Sequence, residues 1–226
     1  MKGCDILSYS IEKREKGYLL FTINRSEKRN AINFDVMEGL AEAITRASSP
    51  DIKALVITGK DDRAFCSGGD LSVFHLLHTK EEAYPMLSKM ANILYSLLTL
   101  PVPTIALING IAIGGGCELA AACDFRVARD GINAGFVQGK QAITTGWGGG
   151  SILAEKLQAP IAMKLLLEAE VQTAAYLHKI ASPEKSLTRR TISPLRVLRY
   201  KKKVLPMLPS QAPMVPLQSM LQAMVH

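Results

Sequence analysis

The sequence has few of the residues that mark several common protein classes. It contains only four cysteines and no CxxC pair, which excludes a dense disulfide framework and favours reduced thiols. The N-terminal segment has no apolar core of the kind found in a secretory signal, so we expect no such signal. No Gly-Lys-Ser/Thr follows either glycine-rich segment, and neither contains GxGxxG. A P-loop and a dinucleotide site are therefore not expected.

One long segment, from Met90 to Cys117, has no charged residue. An uncharged run of this length resembles a membrane span, but Pro101, Pro103 and several glycines interrupt it. We therefore expect a buried helix followed by a buried strand, and no membrane segment.

The basic charge of the chain is confined to its last part. Residues 1–180 carry 19 basic and 19 acidic side chains, whereas residues 181–226 carry eight basic residues and one acidic residue. That segment also holds six of the eleven prolines. We expect a core domain at 1–180 and a basic, Pro-rich C-terminal segment at 181–226. The basic charge of this segment is interpreted as a solvated surface rather than a nucleic-acid site.

Hydrophobic spacing predicts strands that alternate with helices, which is typical of an α/β protein. The predicted strands are a hairpin at 5–24 and single strands at 53–59, 104–109 and 124–128. Helices are predicted at 33–47, 81–100, 117–123, 151–158, 161–169, 172–180 and 195–205. Asn33 is expected to cap the first of them. The Gly-containing segment 61–70 is expected to be a loop.

Two glycine clusters follow buried strands, Ser67-Gly68-Gly69-Asp70 and Gly114-Gly115-Gly116-Cys117-Glu118. The first N–H groups of a helix have no partner within the helix, and Gly115 has no side chain to block them from an anion. Glu118 lies three residues later and so shares that face of the helix. With Gly69 as a second donor, the clusters offer an oxyanion site and a base, which suits chemistry next to a carbonyl.

Ordinary structural roles explain several other candidates. His75 and His78 have no third ligand at metal spacing, so we expect no metal site. Asp70 can cap the helix that follows it. Cys66 and Cys117 suit small core positions.

Three motifs resemble the enoyl-CoA hydratase/isomerase (crotonase) superfamily and occur in the order found there. They are NRSEKRNAIN at 24–33, RAFCSGGDL at 63–71 and INGIAIGGGCELAAACDFRVA at 108–128. The resemblance covers about residues 5–180. It implies a crotonase-like (ClpP/crotonase) α/β fold of repeated ββα units, here with a shortened, atypical C-terminal region.

The resemblance also implies roles for particular residues. The N–H groups of Gly69 and Gly115 would form the oxyanion hole, and Glu118 would be a catalytic carboxylate. The residues implied to bind substrate or coenzyme A are Lys28, Arg29, Ala31, Ser67, Gly68, Asp70, Leu71 and Trp147. Trp147 would wall the acyl pocket, although a packed core tryptophan is the alternative.

One position departs from the family pattern. Gln138 stands where a second catalytic carboxylate is expected, and a glutamine cannot exchange a proton as glutamate does. It can still orient a water molecule or the thioester.

Because Gln138 replaces the expected second carboxylate, the sequence does not decide which reaction the protein catalyses. The resemblance implies an acyl-CoA enzyme of the hydratase/isomerase type, with an acyl-CoA decarboxylase on the same scaffold as the alternative. A non-catalytic CoA- or RNA-binding relative is the alternative from another class. We expect an acyl-CoA partner, coenzyme A only as part of the substrate, no separate cofactor, a cytoplasmic location, and a homotrimer or dimer of trimers.

Overall fold

A computed structural model describes residues 7–181 of the chain. Most of the predicted C-terminal segment, 181–226, and the helix predicted at 195–205 lie outside these residues. The boundary between core and C-terminal segment therefore stays a prediction.

Nine strands in the described part form two sheets. They are β1 (Tyr9–Lys13), β2 (Tyr18–Ile23), β3 (Ala54–Gly59), β4 (Ala64–Cys66), β5 (Thr104–Ile108), β6 (Ile111–Ile113), β7 (Phe125–Ala128), β8 (Asn133–Gly135) and β9 (Gln172–Thr173). The larger sheet has the order β1-β2-β3-β5-β7, and the smaller sheet has the order β4-β6-β8-β9. Only β1–β2 and β8–β9 pair antiparallel.

Residues 7–181 also contain seven α-helices. They are α1 (Phe34–Ala47), α2 (Leu71–Phe74), α3 (Lys80–Thr99), α4 (Gly115–Ala122), α5 (Gly149–Lys156), α6 (Ala159–Glu168) and α7 (Ala174–Ala181). Short 3₁₀ helices occur at Ser26–Lys28 and Val137–Gln141.

The two sheets are built by the same repeated step. In the pairs β3/β4, β5/β6 and β7/β8, the first strand joins the larger sheet and the second joins the smaller one. Successive first strands pair in parallel, and so do successive second strands. This arrangement confirms the expected α/β fold of repeated units. It also places the segments that follow β4 and β6 next to each other.

The main core lies between the larger sheet and the helices α1, α3 and α4. Phe21, Leu40, Leu94 and Leu119 are fully buried there or nearly so. Helix α4 is almost wholly buried, which explains why its sequence has small apolar residues on every side.

Sequence spacing predicted the longer elements correctly but missed the short strands. The N–H of Val36 donates to Asn33 Oδ1 at 3.0 Å, so Asn33 caps α1 as expected. The expected loop at 61–70 instead contains β4, and β6 and β8 were not predicted. The segment at 172–180 begins with β9, so its helix starts at Ala174. Strands of two or three residues are too short to show a period of two.

Within residues 7–181, no helix combines the length and the apolar character needed to cross a membrane. The uncharged segment from Met90 contributes part of α3, the strands β5 and β6, and the start of α4.

Candidate active site

The two glycine clusters lie side by side because β4 and β6 are parallel neighbours. Each cluster follows the carboxyl end of one of these strands. The contact is close: a Cβ built on Gly116 would lie 2.0 Å from the carbonyl oxygen of Cys66, and one on Gly68 would lie 3.1 Å from the Gly115 nitrogen. Glycine is required at Gly116 because the backbone of the other loop occupies the space of a side chain.

The first loop is held by Ile32 on both sides of Gly69. The N–H of Ile32 donates to the carbonyl of Gly68, and the N–H of Asp70 donates to the carbonyl of Ile32, both at 2.8 Å. The N–H of Gly69 between them donates to no acceptor among the described residues. The loop thus presents one rigidly held donor.

The second loop offers a similar donor at the start of α4. The N–H of Gly114 donates to the Gly135 carbonyl at 2.9 Å, while the N–H groups of Cys117 and Glu118 donate to the Gly114 carbonyl. The Gly115 N–H has no acceptor in the described part of the chain. Because it is the first residue of α4, it also lies at the positive end of that helix.

The indole of Trp147 packs against both donor glycines. A Cβ built on Gly115 would lie 2.2 Å from a carbon of the six-membered indole ring. A Cβ built on Gly69 would lie 2.8 Å from the Phe74 ring and 3.4 Å from Trp147. Trp147 is only 6% exposed. It therefore is both a core residue and a neighbour of the two free N–H groups.

Glu118 is a buried carboxylate, with 2% of its surface exposed. Its Oε2 accepts hydrogen bonds from the backbone N–H of Trp147 at 3.0 Å and of Gly149 at 2.8 Å. Gly149 is the first residue of α5 and Trp147 lies two residues before it, so Glu118 on α4 satisfies an N–H group that α5 cannot satisfy itself and a second one in the segment leading into that helix. Burial raises the pKa of Glu118, and the hydrogen bonds to its carboxylate oppose part of that increase.

Gln138 lies beside this carboxylate. Its Nε2 donates to Glu118 Oε1 at 3.0 Å, and its amide atoms are within 4.0 Å of the position a Cβ would have on Gly114. The residue at the expected second-carboxylate position therefore contacts the first carboxylate and the start of α4. Its Oε1 is buried without a hydrogen-bond partner among the described residues.

A second polar contact joins α4 to α5 at their other ends. The Lys156 ammonium donates to the carbonyls of Ala121 at 2.5 Å and Cys123 at 2.6 Å. A cation at the last carbonyls of a helix is favourable. The Glu118 carboxylate of α4 thus accepts hydrogen bonds at the start of α5, and the Lys156 ammonium of α5 donates hydrogen bonds at the end of α4. These two contacts fix the position of Glu118.

The segment 25–32 packs against the first glycine loop. The Arg29 carbonyl accepts from Ser67 N–H at 3.2 Å, and the Lys28 carbonyl accepts from Ser67 Oγ at 3.4 Å. The side chains of Lys28 and Arg29 are exposed, and Ala31 is buried. The structure therefore brings these three predicted residues next to the loop of Gly68 and Gly69.

Asn30 is a supporting residue that sequence reasoning missed. It is fully buried and has φ 55°. Its Nδ2 donates to the carbonyls of Lys60 and Ala64, and its Oδ1 accepts from the Arg25 N–H. Asparagine tolerates the left-handed backbone conformation better than most residues, so an asparagine within the first motif was an available signal.

A buried ion pair also fixes the first loop. Arg25 Nη2 lies 2.6 Å from Asp70 Oδ2, and Arg25 Nη1 donates to the Ala31 carbonyl at 2.7 Å. Asp70 also accepts from Ser72 N–H at 3.0 Å, so it caps α2 as expected. Because its carboxylate is occupied in this way, Asp70 supports the loop. Leu71, the next predicted residue, is 71% exposed.

No cluster of His, Cys, Asp or Glu in residues 7–181 has the arrangement of a metal site. The rings of His75 and His78 lie 6.2 Å apart on the surface. Cys66, Cys117 and Cys123 are free thiols, and burial raises the pKa of each to about 12, so they are not reactive thiolates.

Two parallel glycine loops with free N–H groups and a buried carboxylate match what the sequence motifs implied. The family model for enoyl-CoA hydratase/isomerase matches residues 13–202, which is most of the chain. The chain belongs to the enoyl-CoA hydratase/isomerase family. The match includes all three sequence motifs and the site built from them.

Two kinds of family member are similar at almost the same level. The mitochondrial methylglutaconyl-CoA hydratase of Mus musculus is 35% identical over 162 residues, which are 71% of this chain and 51% of that protein. The ethylmalonyl-CoA decarboxylase of Gallus gallus is 36% identical over 163 residues, 72% of this chain and 54% of that protein. The chain spans about half the length of these two relatives.

Solved structures of the family have the same fold. The crystal structure of an enoyl-CoA hydratase from Bacillus anthracis superposes with a TM-score of 0.73 and 27% sequence identity. The superposition covers 77% of this chain and 67% of the other. The expected fold and family are thus confirmed.

Proposed function

We propose that the chain is an acyl-CoA enzyme that holds the thioester oxygen between the N–H groups of Gly69 and Gly115 and stabilises the enolate formed there. Glu118 would act as the base or position a water molecule. Coenzyme A enters only as part of the substrate, along the segment that contains Lys28, Arg29 and Ala31. Gln138 would orient Glu118 and the reacting group.

The adjacency of the two free N–H groups carries this proposal. Parallel pairing of β4 with β6 puts both donors at one edge of the smaller sheet, and the buried Glu118 lies on the helix that begins with Gly115. Preorganised donors of this kind are worth about 2.7–4 kcal/mol each in the transition state. A base beside them completes the groups needed for chemistry next to a thioester carbonyl.

Calorimetric titration with butyryl-CoA tests the binding part of the proposal. We expect binding by the wild type and strongly weakened binding by Gly69→Pro and Gly115→Pro, because proline has no N–H. Circular dichroism would establish that each variant is folded. A folded wild type that binds no acyl-CoA would contradict the proposal.

The composition of the site makes efficient hydration a poor fit. Gln138 cannot serve as a second general acid or base, and losing such a group typically costs about 10²–10⁴ in rate. We expect weak or absent hydration of crotonyl-CoA, and a faster reaction in Gln138→Glu. A wild-type rate equal to that of two-carboxylate hydratases would contradict this assignment of Gln138.

Decarboxylation of a malonyl-type acyl-CoA is the second candidate reaction. Two observations favour it: among residues 7–181, Glu118 is the one carboxylate that the sequence and the geometry offer as a base, and relatives named ethylmalonyl-CoA decarboxylase are as similar as the hydratases. Release of CO₂ needs the oxyanion hole but less proton transfer. Parallel assays with crotonyl-CoA and ethylmalonyl-CoA would decide between the two reactions.

We further propose that the protein assembles as a homotrimer or dimer of trimers. Large apolar side chains remain exposed on α6 and just after it, among them Met163, Leu167 and Val171, and such groups suit a subunit contact. Light scattering that reports a monomer would contradict this. The cytoplasmic location also stays a prediction, since some relatives are named as mitochondrial.

A further inference from the structure

The side-chain amide of Gln138 has a nitrogen that makes a hydrogen bond and an oxygen that makes none with the described residues. Its Nε2 donates to Glu118 Oε1 at 3.0 Å, whereas its Oε1 is buried and has no partner in the described part of the chain. Buried amide oxygens are normally hydrogen-bonded. The unpaired oxygen therefore marks a place beside Glu118 where a donor from a bound molecule would fit.

The two oxygens of Glu118 are not equivalent. Oε2 accepts two backbone N–H groups, from Trp147 and Gly149. A proton on Oε2 would point at these donors, so a protonated Glu118 must carry its proton on Oε1. Oε1 is the oxygen that faces Gln138.

Protonation of Glu118 therefore disfavours the observed orientation of Gln138, in which Nε2–H points at the oxygen that would carry the proton. The new O–H and the Nε2–H of the amide would be two donors that face each other. A carboxamide turned by about 180° exchanges its oxygen and nitrogen with almost no change in shape. In the turned form, Gln138 Oε1 accepts from Glu118, and Nε2 takes the place of the unpaired oxygen.

We infer that the Gln138 amide follows the protonation state of Glu118. While Glu118 is ionised, Gln138 presents an acceptor to the pocket, and once Glu118 is protonated it presents a donor. Gln138 is thus a positioning residue that sets which hydrogen-bonding group the acyl moiety encounters next to Gly114. The part of this inference that concerns the acyl moiety rests on the proposed function, whereas the coupling between the two side chains does not.

The groups that face Glu118 favour such a coupling because they are neutral. On α4 the neighbour is the thiol of Cys117, and on the 3₁₀ helix it is Gln138. In the segment that leads into α5 the neighbours are the backbone N–H groups of Gly146, Trp147 and Gly149. Burial raises the pKa of Glu118, so its protonated form persists to a higher pH than that of an exposed glutamate.

A Glu118→Gln variant imitates the protonated state. The backbone donors of Trp147 and Gly149 require an oxygen at the Oε2 position, so the new amide must turn its NH₂ toward Gln138. Gln138 then has to turn its own oxygen toward it. This variant holds the pocket in the donor state at any pH.

Nuclear magnetic resonance of the side-chain NH₂ of Gln138 tests the coupling without a ligand. The signal is assigned by its loss in Gln138→Met. We expect it to shift with pH in the wild type, as its partner changes from an anion to a neutral group, and to be displaced and independent of pH in Glu118→Gln. A signal that is the same and independent of pH in both proteins would overturn the inference.

Calorimetry with two ligands tests the effect on the pocket. Acetoacetyl-CoA has an acceptor oxygen at C3, and butyryl-CoA has none. At pH 7 we expect the ratio of their affinities to favour acetoacetyl-CoA about tenfold more in Glu118→Gln than in the wild type, as one added hydrogen bond allows. Adding Gln138→Met should abolish this gain, and a gain that persists would overturn the inference. Butyryl-CoA binding by the wild type reports separately on the proposed function.

Discussion

Replacing Glu118 by leucine should destabilise the fold as well as impair the proposed chemistry. The carboxylate accepts the N–H groups of Trp147 and Gly149 at 3.0 and 2.8 Å in a buried environment. Leucine has a similar size but no acceptor, so both N–H groups would lose their partner. A Glu118→Gln variant keeps an oxygen for them and is the matched control.

The magnitude follows from the cost of unsatisfied buried donors, which is about 1–3 kcal/mol each. Two such groups cost about 2–6 kcal/mol, and burial of an apolar leucine in place of a polar amide offsets part of this. We expect Glu118→Leu to lower the free energy of unfolding by about 2–4 kcal/mol relative to Glu118→Gln. Glu118→Gln itself should lie within about 1 kcal/mol of the wild type.

Urea unfolding at pH 7 measures these differences. Trp147 is the only tryptophan, and its indole packs against Gly115 and Gly69, so its fluorescence reports on the site, while circular dichroism reports on the whole fold. Protein concentration must be kept constant because assembly changes the apparent stability. Equal stability of Glu118→Leu and Glu118→Gln would refute the claim that Glu118 anchors α5.

Three further predictions address other contacts. Gly115→Ala would place a methyl group against the Trp147 ring and should cost about 1–3 kcal/mol. In thermal unfolding this cost should be smaller when Gly115→Ala is made in a Trp147→Leu background, and an equal cost in both backgrounds would contradict the assigned clash. Asp70→Ala should lower the free energy of unfolding by about 3–5 kcal/mol, because it leaves Arg25 buried without its partner. The double variant Arg25→Met with Asp70→Leu should lose less stability than the sum of its two single changes. Strict additivity of these losses in urea unfolding would argue against the ion pair. Because the pKa of Glu118 is raised in the folded state, that state holds the proton more tightly than the unfolded state. The wild type should therefore lose stability relative to Glu118→Gln as pH rises from the ordinary carboxyl range through the raised pKa of Glu118. A stability difference that does not change with pH would contradict that increase in pKa.

The pattern of the sequence predicted the longer elements and supplied the candidate groups of the proposed site. Helix α1 with its Asn33 cap, the hairpin of β1 and β2, and the strands β3 and β5 each contain enough residues to show their period. Gly115 and Glu118 could also be named as candidates in advance, because a glycine at a helix start followed by a carboxylate has a local physical meaning. Gly69 is a candidate with them, as a second donor in the other glycine cluster. These features depend only on residues close together in the chain.

The partners of those groups came only from the tertiary structure. Arg25 pairs with Asp70 across 45 positions, and Glu118 accepts from residues 29 and 31 positions away. Strand β4 could not be predicted either, because three residues are too few to show a period of two. It is recognised as a strand only from its parallel pairing with β6. The sequence showed a carboxylate behind a glycine turn, but only the packing of α4 against α5 decided that one of its oxygens is occupied by backbone N–H groups and that the other faces Gln138.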